Sequence, residues 1–123
     1  MLLRSAPYFP VRDAAQSAKY YEAVLGFHCD YLAGDPAQFA ICSRDRLAIL
    51  FRTVADPAHI RPVESQGGTW DAFFWVDDAD ALHAELVAKG ARVVYEPVVQ
   101  PYGVKEFAVR DEDGHVLGFG QQR

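Results

Sequence analysis

Histidine is the residue type from which catalytic metal sites and general bases are most often built, and this chain has few histidines. A catalytic divalent metal needs about three protein ligands from His, Cys, Asp or Glu. The four histidines are far apart and form no pair at ligand spacing; they are His28, His59, His83 and His115. An isolated histidine is more often a surface or strand-edge residue than a ligand. These residues therefore predict no metal site.

Nucleophilic chemistry has no clear candidate either. Cys29 and Cys42 lack the spacing of a zinc motif and are too few for a disulfide framework, which indicates a reduced, cytoplasmic setting. No serine has a neighbouring His and Asp in a nucleophile motif. The acidic run Asp111–Asp113 resembles a pair of catalytic carboxylates, but a tight hairpin turn uses the same residue types for structure. We assign the run to a turn.

The elements that must position any site form two copies of one unit. Residues 39–51 and 107–119 match at a constant offset, and each is an apolar run, a polar turn and a second apolar run. This pattern predicts two β-hairpins. Each hairpin follows a helix-like segment and earlier strands, so the order βαβββ occurs twice. We predict one α+β domain over 1–123, with module one at 5–55, a linker at 56–69 and module two at 70–123.

The first module has clear boundary signals. A strand is predicted over Tyr8–Val11, and Asp13 is a plausible N-cap for a helix over 14–25. Gly26 is predicted to end that helix in the left-handed conformation, and a strand follows over 27–32.

The second module repeats these signals. Its continuous apolar run, 72–76, is typical of a buried strand, and Asp77 or Asp78 is expected to cap a helix over 79–89 that ends at Gly90. The remaining predicted elements are a strand at 92–95, a loop at 97–103 and the hairpin at 105–119.

Several short sequence motifs, taken in their order along the chain, resemble those of one superfamily. They are Val11-Arg12-Asp13 before the first helix, Val24-Leu25-Gly26-Phe27 after it, and Arg110-Asp111-Glu112-Asp113-Gly114-His115 in the last hairpin. Together they resemble the vicinal oxygen chelate superfamily, which includes glyoxalase I, extradiol dioxygenases and bleomycin-resistance proteins. The stretch 101–111 is most similar to the bleomycin-resistance branch, with Tyr102 and Val104 in place of its usual Trp and Arg. The resemblance implies two βαβββ modules that form a curved mixed sheet.

The resemblance also implies where a metal would bind. Metal-dependent members place ligands at the inward position of four strands, and the matching positions here are Ala6, Leu50, Asp71 and Gly118. Three of these four cannot ligate a metal through a side chain. We therefore expect no metal and no cofactor. Asp71 is then the one ionisable residue predicted inside the cavity, either as a base or counter-ion or simply in water near a strand start.

Strand alternation predicts what lines that cavity. Residues two apart share a face, so Tyr8, Phe73 and Trp75 are predicted on the cavity face, while Phe9 and Phe74 would pack under the helices. Small residues beside flat aromatic ones suggest a cleft for a planar molecule. Together with the residues implied by the resemblance, the predicted ligand-binding set is Tyr8, Tyr31, Phe39, Arg52, Asp71, Phe73, Trp75, Tyr102, Lys105 and Gly118.

These observations favour a binding protein. The net charge of −5 without a basic block argues against nucleic acid or a membrane surface as partner. We expect a metal-free homodimer of the bleomycin-resistance type, with clefts at the dimer interface that sequester a planar or cationic small molecule and confer antibiotic resistance. The alternatives are a metal-dependent lyase or dioxygenase of the glyoxalase kind, or a metal-free isomerase that uses Asp71.

Overall fold

The computed structural model describes residues 1–123, and these divide into two units, Met1–Arg61 and Pro62–Arg123. Each unit contains one α-helix and one four-stranded mixed sheet, in strand orders β1-β4-β3-β2 and β5-β8-β7-β6. The predicted βαβββ order is thus confirmed in both copies. No helix of the structure has the length and apolar character of a transmembrane segment.

The strands of the first unit are β1 (Tyr8–Val11), β2 (His28–Gly34), β3 (Ala37–Arg44) and β4 (Leu47–Thr53). Strand β1 runs parallel to β4, and the other pairs are antiparallel. The helix α1 (Ala14–Ala23) packs on one face of this sheet. The opposite face, which we call the helix-free face, includes the side chains of Phe39, Leu50 and Arg52.

Local chemistry explains where α1 begins and ends. The Asp13 carboxylate accepts hydrogen bonds from the backbone N–H groups of Ala15 and Gln16, as predicted for an N-cap. The chain leaves the helix at Gly26, whose φ of 74° is the left-handed conformation expected there. Tyr21 on the inner side of α1 is buried against Phe51, with ring centroids 4.8 Å apart.

The second unit contains β5 (Ala72–Trp75), α2 (Ala79–Ala88), β6 (Arg92–Val99), β7 (Val104–Arg110) and β8 (Val116–Gln122). Asp78 caps α2 by accepting from the N–H of Ala81. The loop predicted at 97–103 is wrong in its first part, because β6 continues to Val99. The pairing of β6 with β7 has a register shift between Tyr95 and Val98. This shift lets the strand continue past Pro97, which has no N–H to donate.

The predicted linker is not featureless. Residues Pro57–His59 and Val63–Gln66 form short 3₁₀ helices. The unit boundary falls between them, so 62–69 belong to the second unit. Glu64 accepts a hydrogen bond from Arg110 of β7, which ties this segment to the second sheet.

The helix side of each sheet holds its core. Phe9, Val11 and Phe51 are buried in the first unit, and Phe107 and Phe119 stack in the second. Phe74 stacks on Phe119, so its predicted place under the helix is confirmed. The expectation that 72–76 is a buried strand is wrong: its residues are half-buried and Trp75 is 60 % exposed.

Candidate functional site

Four of the predicted ligand-binding residues lie together on the helix-free face of the first unit. The Arg52 guanidinium carbon lies 5.1 Å from the centre of the Phe39 ring, within range of a cation–π interaction. Arg52 also donates from Nε to the Tyr8 hydroxyl at 3.3 Å, and the Tyr31 ring lies 6.4 Å from Phe39. We call these four residues the first aromatic group. Tyr8 and Tyr31 are each more than half exposed.

Strand register explains this grouping. Phe39 of β3 pairs directly with Arg52 of β4, and Tyr8 of β1 pairs with Leu50, two residues before Arg52. Residues that face each other across a sheet, and those two apart on a strand, share one face.

An open groove of about 830 Å³ lies on the same unit. It is lined by the N-terminal segment 1–6 and by strand residues that include Ile41, Ala48 and Leu50. Ala6 and Leu50 are two of the four positions at which the resemblance implied metal ligands. Neither side chain has a donor atom, so this groove is apolar where a metal site would need oxygen or nitrogen.

A second aromatic group lies on the helix-free face of the second unit. It consists of Trp70, Phe73 and Trp75, with ring centroids 4.7 Å apart for the first pair and 5.0 Å for the second. The rings meet edge to face, the geometry that aromatic quadrupoles favour. Two of its members, Phe73 and Trp75, belong to the predicted ligand-binding set, and Trp75 presents a large exposed ring.

The glycines beneath this group do not leave open room. A Cβ atom at Gly118 would lie 2.5 Å from the Trp70 ring and 2.7 Å from Phe73, and one at Gly120 would lie 2.5 Å from Phe73. The two aromatic rings therefore already occupy the space that small residues were expected to offer a ligand. Gly118 is buried, and it acts by letting the rings lie directly on the sheet.

A buried glutamate that the sequence reasoning missed lies on this face. Glu106 is 1 % exposed, and its two carboxylate oxygens accept hydrogen bonds from the hydroxyls of Tyr95 and Tyr102. Trp70 extends the chain of contacts by donating from Nε1 to the Tyr95 oxygen at 2.9 Å. We call Trp70, Tyr95, Glu106 and Tyr102 the glutamate network. The sequence does contain a signal for this buried carboxylate, because Glu106 is the one acidic residue in the otherwise mostly apolar strand β7.

The glutamate network contains a carboxylate, that of Glu106, but no positively charged side chain. Both hydrogen-bond partners of Glu106 are neutral phenols, and no Lys, Arg or His pairs with it. Burial, and then the hydrogen bond to Glu106, raise the pKa of Tyr95. The hydrogen bond to Glu106 is also the main cause that raises the pKa of Tyr102. Tyr102, 62 % exposed, is the part of the network most open to solvent.

The carboxylate of Asp71 is hydrogen-bonded to the protein's own backbone. Its Oδ1 accepts from the N–H of Val63 at 3.0 Å and its Oδ2 from the N–H of Val116 at 2.7 Å. His115 Nδ1 lies 3.4 Å away, and the Asp71 side chain is only 8 % exposed. Burial by itself would raise the pKa of Asp71, but His115 and the two backbone N–H groups outweigh it and lower that pKa. The expectation of a free base, counter-ion or solvated carboxylate is corrected, because both oxygens already hold backbone groups.

Two further expectations are corrected by burial and by contacts. His115, expected at the surface or a strand edge, is buried at 2 % exposure beside Asp71. Lys105, expected among the ligand contacts, forms an ion pair with Asp80 in the first turn of α2. Since that helix covers the other face of the sheet, Lys105 points away from the glutamate network.

The residues do not fit the metal that the resemblance implies for metal-dependent members of the superfamily. Ala6 and Leu50 in the first unit and Gly118 in the second have no ligating side chain, and the oxygens of Asp71 are engaged. No group of three or more His, Cys, Asp or Glu side chains is arranged to hold a metal ion.

Comparison with known proteins agrees with the architecture. Residues 6–119 match the family model of the Glyoxalase/Bleomycin resistance protein/Dioxygenase superfamily. No curated protein sequence matches the chain.

Among solved structures, the chain is similar to a bleomycin-binding protein from Streptomyces verticillus complexed with copper(II)-bleomycin, with 23 % identity, coverage of 100 % and 98 % of the two chains and a TM-score of 0.74. It is also similar to TnmS3, an antibiotic binding protein from Streptomyces sp. CB03234, with 21 % identity, 100 % and 98 % coverage and a TM-score of 0.74. A glyoxalase-related enzyme from Clostridium phytofermentans has 18 % identity, 100 % and 97 % coverage and a TM-score of 0.80. The fold and the family match together establish that the chain belongs to the Glyoxalase/Bleomycin resistance protein/Dioxygenase superfamily.

Proposed function

We propose that this protein is a metal-free small-molecule binding protein that sequesters a planar, cationic compound of the antibiotic type. The observation on which this rests is Glu106, a buried carboxylate with no basic partner on a face that also presents exposed aromatic rings. Structural neighbours that bind bleomycin and other antibiotics support the same class of ligand.

The charge preference follows from the environment of Glu106. Removing a carboxylate from water is costly unless charged or hydrogen-bonding partners replace the solvent. Tyr95 and Tyr102 supply two hydrogen bonds but no positive charge. A cation bound beside Tyr102 would supply that charge, whereas an anion there would be repelled.

The shape preference follows from the aromatic rings. Trp75 and Tyr102 are each at least 60 % exposed, and Phe73 lies at van der Waals distance behind Trp75. Flat, electron-rich surfaces of this kind bind planar cations by stacking and cation–π attraction. In the second unit, the ligand contacts we propose are Phe73, Trp75 and Tyr102, with Glu106 as the charge beside Tyr102. In the first unit, we propose a separate set of contacts, which consists of Tyr8, Tyr31, Phe39 and Arg52.

The residues that a catalytic role would need are engaged in other contacts or lack the required side chain. An isomerase would need Asp71 as a base, but its oxygens accept hydrogen bonds from Val63 and Val116. A glyoxalase-like lyase would need metal ligands at Ala6, Leu50 and Gly118. Metal analysis of protein purified without chelator tests this alternative, since a stoichiometric divalent ion would overturn the proposal.

Homodimerisation remains part of the proposal, with the binding cleft completed at the interface. Several large apolar side chains are exposed to solvent, among them Leu2, Leu3, Leu32 and Val99. Burial of such side chains in a dimer interface would remove their apolar surface from water and so stabilise the dimer. Light scattering coupled to size exclusion should give twice the chain mass, and a monomer at micromolar concentration would contradict this part.

A matched pair of probes tests the ligand class. N-methylphenanthridinium and phenanthridine share one planar ring system but differ in charge at neutral pH. We expect the cation to bind more tightly, seen by quenching of the emission of Trp70 and Trp75, and bleomycin to raise the melting temperature. Equal affinities for the two probes would contradict the charge preference, and no response to any of them would overturn the binding function.

A further inference from the structure

The two cysteines of the chain face each other across neighbouring strands. Cys29 of β2 pairs directly with Cys42 of β3 in an antiparallel register. Directly opposite residues of antiparallel strands have Cα atoms about 4.5–5.5 Å apart, within the range of about 4.4–6.8 Å found for disulfides. They also project to the same face of the sheet. The backbone therefore already holds both sulfur atoms where a bond between them is geometrically allowed.

The two thiols differ in environment. Cys42 is fully buried, whereas Cys29 is half-buried on β2, the edge strand of its sheet. Burial, followed by the neighbouring Cys29 and the acidic Glu22 and Asp30, raises the pKa of Cys42 to about 12. Cys29 is thus the sulfur that a reagent reaches first, and Cys42 is the sulfur that lies behind it.

We propose that Cys29 and Cys42 are a dithiol–disulfide pair that is oxidised by small disulfides such as oxidised glutathione. The Cys29 thiolate attacks one glutathione sulfur, which breaks the glutathione disulfide and releases one reduced glutathione. The Cys42 thiolate, after giving its proton to solvent, then attacks the Cys29 sulfur and expels the second glutathione. The protein loses two electrons and two protons, and the oxidised glutathione gains them as two thiols.

This bond would act on the edge of the first sheet. Closing it would crosslink β2 to β3, close to Tyr31 and Phe39 of the first aromatic group. A crosslink removes conformations from the unfolded chain and so stabilises the folded state. The proposal stands on the cysteine register alone and is independent of the proposed function.

The test uses the full chain treated with oxidised glutathione and followed by intact mass and non-reducing peptide mapping. We expect the wild type to lose two hydrogen atoms and to yield a peptide that links positions 29 and 42. Because Cys42 must lose its proton first, closure should accelerate about tenfold for each pH unit between roughly 7 and 9. The melting temperature should rise on oxidation.

Single variants separate the two roles. Cys42→Ser should stop at a mixed disulfide of Cys29 with glutathione, and Cys29→Ser should remain unmodified because Cys42 is buried. Cys42→Ala, which introduces no polar atom into the core, serves if the serine variant fails to fold. A stable mixed disulfide on the wild type, or a crosslink between two chains through Cys29, would overturn the proposal.

Discussion

The two sheets carry side chains of opposite charge next to their core pairs. In the first unit the cross-strand pair next to the core pair Ala40–Phe51 is Phe39 and Arg52. In the second unit the pair next to the core pair Phe107–Phe119 is Glu106 and Gly120. One sheet therefore presents a cation against an aromatic ring, and the other a buried anion under two phenols. The shared βαβββ scaffold sets where a side chain can stand but not its charge.

The difference originates in the turns of the two hairpins. The first turns through Asp45 and Arg46, with φ values of 51° and 69°, so that Arg44 pairs with Leu47. These positive φ values are typical of the tight turns that match strand twist. The second hairpin pairs Arg110 with Val116 across the longer turn 111–115. A change of one residue in register moves every side chain of a strand to the other face.

The two phenylalanines that the repeat aligns show this effect. Phe39 and Phe107 occupy the same place in the repeated sequence. Phe39 nevertheless lies on the helix-free face beside Arg52, whereas Phe107 is buried on the helix side against His83 and Phe119. Turn length, and not the apolar pattern of the strand, decides which of the two serves the candidate site.

The largest expected effect comes from filling the space under the second aromatic group. Gly120→Val should lower the free energy of unfolding by about 3 kcal/mol, because its side chain would overlap Phe73 and Val104. Arg52→Val at the equivalent exposed position should cost less than about 1 kcal/mol. Chemical denaturation of both variants measures the difference, and similar costs would show that the two faces are equally packed.

The next effect concerns Asp71, because the matching residue of the first unit is Ala6, which has no carboxylate. Asp71→Asn should destabilise the protein by about 1–3 kcal/mol, because an amide nitrogen cannot accept from the N–H of Val116. Since the pKa of Asp71 is lowered in the folded state, its ionised form stabilises the protein above about pH 4, and this contribution is lost as the pH falls through the folded-state pKa. The wild type should therefore lose more stability than the variant on acidification. Parallel pH profiles would contradict this role.

The charge contrast predicts a smaller, ligand-specific effect at Glu106. Glu106→Gln should weaken N-methylphenanthridinium binding about tenfold, since a unit charge at roughly 10 Å in an effective dielectric constant of about 20 contributes about 1.7 kcal/mol. Phenanthridine affinity should change little.

Glu85→Gln is the matched control for net charge, because Glu85 lies on α2 and pairs with Lys89. Fluorescence titration of both variants with both probes measures the affinities. If Glu106→Gln lowered the affinity for both probes equally, the carboxylate would support the fold of the site rather than select the charge of the ligand.

The smallest effect is expected for the cation of the first unit. Arg52→Gln removes the interaction with Phe39 and should lower stability by about 0.5–1 kcal/mol, the usual range for an exposed cation–π contact. Thermal unfolding at low and high salt checks it. A loss above about 2 kcal/mol would mean that Arg52 is as deeply embedded in its sheet as Glu106 is in the other.

Much of the scaffold could be predicted from the sequence because the signals are local. Asp13 and Asp78 each cap a helix with their own side chain, and Gly26 and Gly90 adopt the left-handed conformation that ends one. Alternation predicted that Phe9 and Phe74 face the helices, and this depends only on the two-residue period of a strand.

The contacts of the candidate site were less predictable because they join distant residues. Asp71 is fixed by Val63 and Val116, and Lys105 is held by Asp80, so neither is free to bind a ligand as expected. The place of Glu106 among Tyr95 and Tyr102 depends on β6 running past Pro97, which the sequence pattern suggested was a loop.

The sequence by itself determined the two βαβββ modules, the family and the lack of metal-ligating side chains at Ala6, Leu50 and Gly118, because these depend on residue identity and local periodicity. Only the tertiary structure decided which charges stay available. A hydrogen bond from the N–H of Val116, far away in the sequence, engages the carboxylate of Asp71. Glu106 is buried beside the neutral hydroxyl of Tyr95 and has no cation as a partner. Register places the two cysteines opposite each other. Such pairings depend on strand register and turn length, which apolar periodicity does not specify.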